Sequence, residues 1–366
     1  MPTPHAPPDP VTAALRADPA CRRIIAAWRR LTGGRDVRDA QRRTLVACSA
    51  GTDSSCLAIA LASAAPGSVV LAHVRHDLRP APEADRDRDA AEALARRLGT
   101  GIAHADATVR ETPGNAEANA RQARERALAA LAITHECLFV ATGHHADDQL
   151  ETAIMRLLRG SGPRGLAGVR ERRRLQGDRG VAAGASPGAT GVTLVRPMLS
   201  VTREDAARLC AMYAHEPVHD ATNSDRTRLR ARLRADVTPR LREIAPRGAA
   251  RAAEAQRLAG EAHQVVQDAA EALLAEARRA PAQDARWALD RTVLRSARPV
   301  VVAELLRSLA VRMGEGLGAD RLAGRTLRAA AERITGPCPE PARYVWRHVI
   351  IELSAHEVLV RRKERT

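Results

Sequence analysis

Short apolar runs and longer stretches of helical spacing alternate regularly along the first half of the chain. Thr44 to Cys48, Ser68 to His73, Ile102 to Ala105 and Cys137 to Thr142 have the length and apolarity of buried strands. Each is followed by a helix-like stretch: Asp53 to Ala64, Ala84 to Leu98, Asn115 to Ile133 and Ala146 to Leu158. This strand-then-helix repetition predicts an α/β fold, a parallel sheet with helices on both faces, because parallel neighbours are joined only through a crossover. Ligands in such sheets sit beyond the C-terminal ends of the strands, where the loops after Cys48 and Thr142 lie. In the stretch from Ala146, Leu150, Ile154 and Leu157 recur at i, i+4 and i+7 and predict the buried stripe, with Asp148 and Glu151 together on another face.

Outside this core the pattern changes. Residues 1–40 are Pro-rich and then Arg-rich, with a short helical stretch from Ile24 to Leu31 and no recognisable chemistry, so they read as an N-terminal extension. A main domain is expected over 41–217, interrupted by a small-residue surface loop from Gly177 to Gly191. An Arg-rich connector follows over 218–240. Residues 241–366 read as a mostly helical domain, with β-type alternation at Val345, Arg347, Val349 and Ile351 marking a small terminal sheet element.

The length, 366 residues, suffices for two cores. With 58 Lys+Arg against 43 Asp+Glu the net charge is +15, a balance that attracts polyanions, nucleic acid first, although an Arg-biased solvated surface has the same composition. Lys363 is the sole lysine, which excludes a Walker-type phosphate loop and makes a Schiff-base enzyme implausible. Aromatic residues at 2% leave any RNA contact to arginine. Cys21, Cys48, Cys56, Cys137, Cys210 and Cys338 form no C-x-x-C pair, so a zinc ribbon or dithiol centre is not expected. No run is long enough to cross a bilayer and the start has no apolar secretion segment, so a cytoplasmic protein is expected.

The segment Ser49-Ala50-Gly51-Thr52-Asp53-Ser54 places a turn and the first turn of a helix directly after a strand. Free backbone N–H groups and hydroxyls can converge there on one anion. Asp53 is an odd neighbour for an anion unless it caps the helix or shares a divalent cation with phosphate; local physics leaves both open.

This S-x-G-x-D-S segment resembles the PP-loop of N-type ATP pyrophosphatases, which cleave ATP between the α and β phosphates. Three further stretches narrow the resemblance to the tRNA(Ile)-lysidine synthetase family: Asn115 to Arg124 with Glu117 and Arg121, Ala141 to Thr152 with His144, His145, Asp147, Asp148 and Glu151, and Arg159 to Leu166. Arg196-Pro197-Met198-Leu199, Arg203 and Asp220 to Asp225 with Asn223 continue it, over about Thr44 to Pro239. The resemblance implies an adenine-nucleotide alpha hydrolase-like, Rossmann-like domain with a helical tRNA-binding domain. It also implies a ligase forming a carbon–nitrogen bond: ATP adenylates the anticodon wobble cytidine of tRNA(Ile) with a CAU anticodon, and free L-lysine displaces AMP to leave lysidine.

By the same resemblance, Ser49 to Ser54 would hold phosphate and Asp53 Mg2+. Asp148 and Glu151 would bind the lysine amine, and Arg121 would stabilise charge at the reacting centre. Spacing alone leaves Arg124 as an alternative to Arg121. His144 and His145 would lie beside the nucleotide, donating to phosphate or merely packing. The Arg159 to Leu166 segment is a flexible turn or a close-approach loop for RNA. Arginine at every second position, Arg226 to Arg234, would share one face in a strand and surround the axis in a helix.

Four positions depart from the family pattern. Ala50 stands where glycine is usual, and its methyl costs about 1 kcal/mol or more if the backbone there is left-handed. Arg75 and Ala231 replace asparagine, and Asp77 replaces glycine after His76. These departures keep two other readings in play, a PP-loop enzyme with another nucleophile, as in tRNA thiolation, and a non-catalytic RNA-binding relative. Oligomeric state, a homodimer included, is not legible.

Overall fold

The computed structural model describes residues 10–77, 81–108, 116–175, 191–218, 229–280, 286–313, 324–337, 340–346 and 349–363. The chain forms two compact units, one from residues 1–155 and 168–255, the other from 156–167 and 256–366.

The first unit begins with two helices, α1 (Pro10–Ala17) and α2 (Pro19–Leu31). Asp18 caps α2 by accepting from the backbone N–H groups of Ala20 and Cys21, and Pro19 follows in the first helical position, where its missing N–H is not needed. Leu15, Ile24 and Trp28 are buried in the main core, and Trp28 Nε1 donates to Thr44 Oγ1 at 3.0 Å. These residues therefore close the fold rather than extend from it, unlike the extension expected over 1–40.

The expected βα repeats follow: β1 (Thr44–Ala47), α3 (Thr52–Ala64), β2 (Val69–His76), α4 (Ala81–Leu98), β3 (Gly101–Ala107), α5 (Ala116–Thr134), β4 (Phe139–Ala141) and α6 (Ala146–Leu158). After the short α7 (Pro163–Leu166) come β5 (Arg172–Arg174) and β6 (Thr193–Val195), which border the segment read as a surface loop; residues 176–190 lie outside the described set. The sheet order is β3-β2-β1-β4-β6-β5, parallel throughout except for β5 against β6. All four residues of β1 are buried, as expected for a central parallel strand covered on both faces. Then come α8 (Arg203–Met212), α9 (Leu229–Arg232), a π-helical turn (Leu233–Val237), α10 (Thr238–Ile244) and α11 (Gly248–Ala277). The division between units falls inside α11, after Ala255, rather than at 240.

The second unit holds the rest of α11, the strands β7 (Arg278–Arg279) and β8 (Trp287–Asp290), and the helices α12 (Arg291–Ser296), α13 (Pro299–Met313) and α14 (Gly324–Thr335). It ends in β9 (Ala342–Trp346), β10 (Val349–Leu353) and β11 (Glu357–Arg362). Its antiparallel sheet, of order β7-β8-β11-β10-β9, is larger than the small terminal element expected. Leu305, Leu309, Ile334, Ile351 and Val360 are among its core side chains. Among the described residues no helix is long and apolar enough to cross a membrane.

Candidate functional site

The turn after β1 is tightly held. Ser54 Oγ accepts from Ser49 N at 3.1 Å and donates to the Gly51 carbonyl at 3.0 Å, so its single hydrogen is committed to the loop. Ala50 is buried in the left-handed region at φ +60, and its carbonyl accepts from Val218 N at 3.0 Å. Gly51 is the N-cap of α3, and no side chain caps this helix. Its first N–H groups therefore lack side-chain partners in the turn, and Asp53 is not the cap.

Asp53 turns instead toward the loop after β4. Its Oδ2 lies 3.4 Å from His145 Nε2, while its buried Oδ1 has no hydrogen-bond partner. His145, 1% exposed, also stands 3.6 Å from Asp147 Oδ2 through Nδ1 and 3.7 Å from Asp148 Oδ2 through Nε2. Burial opposes its charge, but the bond to Asp53 and the Asp148, Asp53 and Asp147 carboxylates outweigh it and raise its pKa. His145 thus joins the acids of α6 to the acid of α3. Gly143 permits the approach, since a Cβ there would lie 2.7 Å from the Asp53 carbonyl oxygen.

The burial of α6 is opposite to the expected stripe. Asp147, Asp148, Gln149, Glu151 and Thr152 are buried, Leu150 and Ile154 are half-buried, and Leu157 is 61% exposed. The polar face can turn inward because arginines meet it. Arg230 donates to Glu151 Oε2 at 2.7 Å and Asp148 Oδ1 at 2.6 Å. Arg234 donates to Glu151 Oε1 at 2.8 Å and Oε2 at 3.1 Å, and Arg242 to Asp147 Oδ1 at 2.7 Å. Asp147 also accepts from Arg203 N at 2.8 Å. Burial works against the Asp147 and Asp148 carboxylates, yet these partners and His145 hold both below the usual range.

The alternating arginines adopt helix where described, so Arg230 and Arg234, four apart, share the acid-facing side while Arg232 is exposed. Asn115, the Glu117 side chain, Asp220, Asn223, Asp225, Arg226, Arg228, Cys338 and Arg347 lie outside the described residues. Arg159 to Leu166 folds with the second unit, where Arg156 donates to the Gly165 carbonyl.

Around His144 the charge is basic. Its Nδ1 lies 3.0 Å from Thr142 Oγ1, and burial, then Arg196, push its pKa down to about 3, so the ring is neutral near pH 7. Arg121 is exposed and reaches Glu125 at 3.3 Å; Arg124 is half-buried, with its pKa pushed down by burial and raised in part by Glu125. Both arginines act on His144. Arg196, buried where β6 ends, had no role from the sequence beyond continuing a motif; its one signal is an arginine directly after an apolar strand. Of the departing positions, Arg75 pairs with Asp85 at 3.3 Å, and Asp77 N donates to the Ala107 carbonyl at 3.4 Å.

Among the described residues no group of three or more His, Cys, Asp or Glu is arranged to hold a metal alone. The unpartnered Asp53 Oδ1 beside an uncapped helix start fits a divalent cation shared with ligand oxygens, the usual coordination of Mg2+.

Residues 26–241 match the family model of the PP-loop domain. A tRNA(Ile)-lysidine synthase of Salinispora tropica is 42% identical over 203 residues, 54% of this chain and 56% of that protein. That of Streptomyces coelicolor is 35% identical over 299 residues, 80% and 77% of the two chains, and that of Bordetella bronchiseptica 34% identical over 271 residues, 72% and 68%. The chain thus spans little more than half the length of the Salinispora relative in its match, and over two thirds of the other two. In fold it is similar to a U34-tRNA thiolase from Methanococcus maripaludis, with a TM-score of 0.50 and 18% identity over 66% of this chain and 78% of that one.

Proposed function

The chain belongs to the tRNA(Ile)-lysidine synthase family of PP-loop domain proteins, and from that premise we propose that it is an ATP-dependent carbon–nitrogen ligase. Its substrates are ATP, free L-lysine and a tRNA(Ile) with a CAU anticodon, whose wobble cytidine becomes lysidine. The observation that supports this reading is the meeting of Asp53 with Asp148 through His145, which brings the turn after β1 beside the acids of α6.

In the first half-reaction the cytidine O2 attacks the α-phosphorus of ATP, the bond to the bridging oxygen breaks, and pyrophosphate leaves. Ser49, Ala50, Gly51, Thr52 and Ser54 would hold the departing phosphates at the N–H groups of α3. Asp53 would hold Mg2+, which when bound neutralises phosphate charge. Arg121, or Arg124 one helical turn on, would stabilise the negative charge that develops. In the second half-reaction the lysine ε-amine attacks C2 and AMP leaves with the former O2. Asp148 and Glu151 would seat the ε-ammonium and take the proton it sheds before attack. To do so it must compete with Arg230 and Arg234 for the same carboxylates.

Thiolation is the weaker alternative, because burial pushes the Cys48, Cys56 and Cys210 thiols up, away from the thiolate a sulfur carrier needs. Incubation with ATP, Mg2+, labelled lysine and unmodified tRNA, followed by mass analysis of the digest, tests the reading. A lysine-plus-cytidine mass is expected from the unaltered protein and none from Asp53→Ala. An ATP-binding protein that forms no adduct would sink the ligase; an Asp53→Ala variant with full activity would remove Asp53 from its role.

A further inference from the structure

Arg196 stands directly after β6, and although it is 2% exposed, no carboxylate among the described residues forms an ion pair with it. Its Nη1 donates to the Arg170 carbonyl at 2.5 Å and its backbone N to the Glu171 carbonyl at 2.9 Å; its buried Nε has no hydrogen-bond partner. The charges that act on it are mostly of its own sign: Arg173 and Arg121 repel it, and Glu125 alone attracts it. Glu125 is already shared, since it pairs with both Arg121 and Arg173. The one carboxylate that attracts Arg196 is therefore already paired with two other guanidinium groups, and His144 nearby is neutral near pH 7. Burial, then Arg173 and Arg121, depress the Arg196 guanidinium to about 9, the behaviour of a cation short of a counter-charge.

Topology says where the missing anion would sit. β6 runs parallel to β4 and β4 to β1, so Arg196 and the PP-loop leave the sheet at the same edge, where ligands of such folds bind. They are two strand spacings apart, about 10 Å. Arg196 therefore stands to one side of the loop, across β4, where it can meet a phosphate other than those at the N–H groups of α3.

We propose that Arg196, with Arg121 beside it, forms a second anion subsite at this sheet edge, taking a phosphate group distinct from those held by the PP-loop. It rests on the ligase reading only for the two sources of that phosphate, the phosphate of AMP or a backbone phosphodiester of the RNA. A planar guanidinium with a free Nε suits either, because it can give two parallel donors to one phosphate.

Equilibrium binding of Mg-pyrophosphate, AMP and an anticodon stem–loop RNA should be measured on the full chain, on Arg196→Met and on Arg196→Lys. The expected result is a loss of about 10- to 100-fold in affinity for AMP or for the RNA in Arg196→Met, as for a lost charge-assisted contact, with partial recovery in Arg196→Lys. Pyrophosphate binding should change less than about twofold. A fall for AMP alone identifies the nucleotide as the source, and a fall for the RNA alone the backbone. Wild-type affinity for both in a folded Arg196→Met overturns the proposal, as does an equal fall for all three probes, the mark of a structural role. Should Arg196→Met not fold, the Arg196 Nε–H resonance of the unaltered protein decides: it shifts on adding AMP or RNA, or its constancy overturns the subsite. These bindings are read without lysine transfer, so a protein that makes no lysidine can still show or lack the subsite.

Discussion

Ala50 is where a single methyl group strains the turn after β1. Its φ of +60 puts an L-residue in the left-handed region at a cost of about 1–2 kcal/mol, while burying the methyl returns about 0.8 kcal/mol. The strain wins by a small margin. Ala50→Gly should therefore raise the unfolding free energy by less than about 1 kcal/mol, a change that denaturant unfolding can resolve; a fall would mean that the methyl is held by packing more than it is strained. The sequence identified the position as one where glycine is usual, but the sign of φ was not legible in it. That sign depends on how the turn is closed, by the Ser54 hydroxyl within the motif and by Val218 N from far outside it.

At the scale of elements, helical spacing located α6 to the residue and misjudged which side is buried. An i, i+4, i+7 apolar series marks a core face only when nothing better meets the other side, and here arginines 79 to 95 residues further along do. Separations of that length leave no trace in local periodicity, whereas the βα repeats do, because each strand and helix is a local unit. With three guanidinium groups on three carboxylates, the α6 acids and the α9 to α10 segment should behave as one coupled network. A double-mutant cycle with Glu151→Gln and Arg234→Met should return a coupling of about 1–3 kcal/mol. A coupling near zero in thermal or denaturant unfolding would show that the ion pair at 2.8 Å carries no energy.

Over the whole molecule, the charge of +15 carried almost wholly by arginine is the property most directly read from sequence. If the chain grips tRNA as proposed, neutralising about 6–10 phosphates, affinity should fall about 10³- to 10⁵-fold between 50 and 200 mM salt. A flat salt dependence in a filter-binding or fluorescence titration would mean that the arginines are committed to internal pairs such as Arg230 with Glu151. Composition counted the charges but could not say which are spent inside, nor that α1 and α2 close the core, since Trp28 and Ile24 find their neighbours only once β1 and α3 have formed.

Gly143 ties the loop to the acids. With the Asp53 carbonyl too close to admit even one more carbon, the turn before α6 rides on the start of α3 like a shaft in a bearing without clearance. The start of α3 and the turn that carries His145 therefore have no slack between them, so a side chain added at Gly143 should shift His145 relative to Asp53, a change that the chemical shifts of the His145 ring would report.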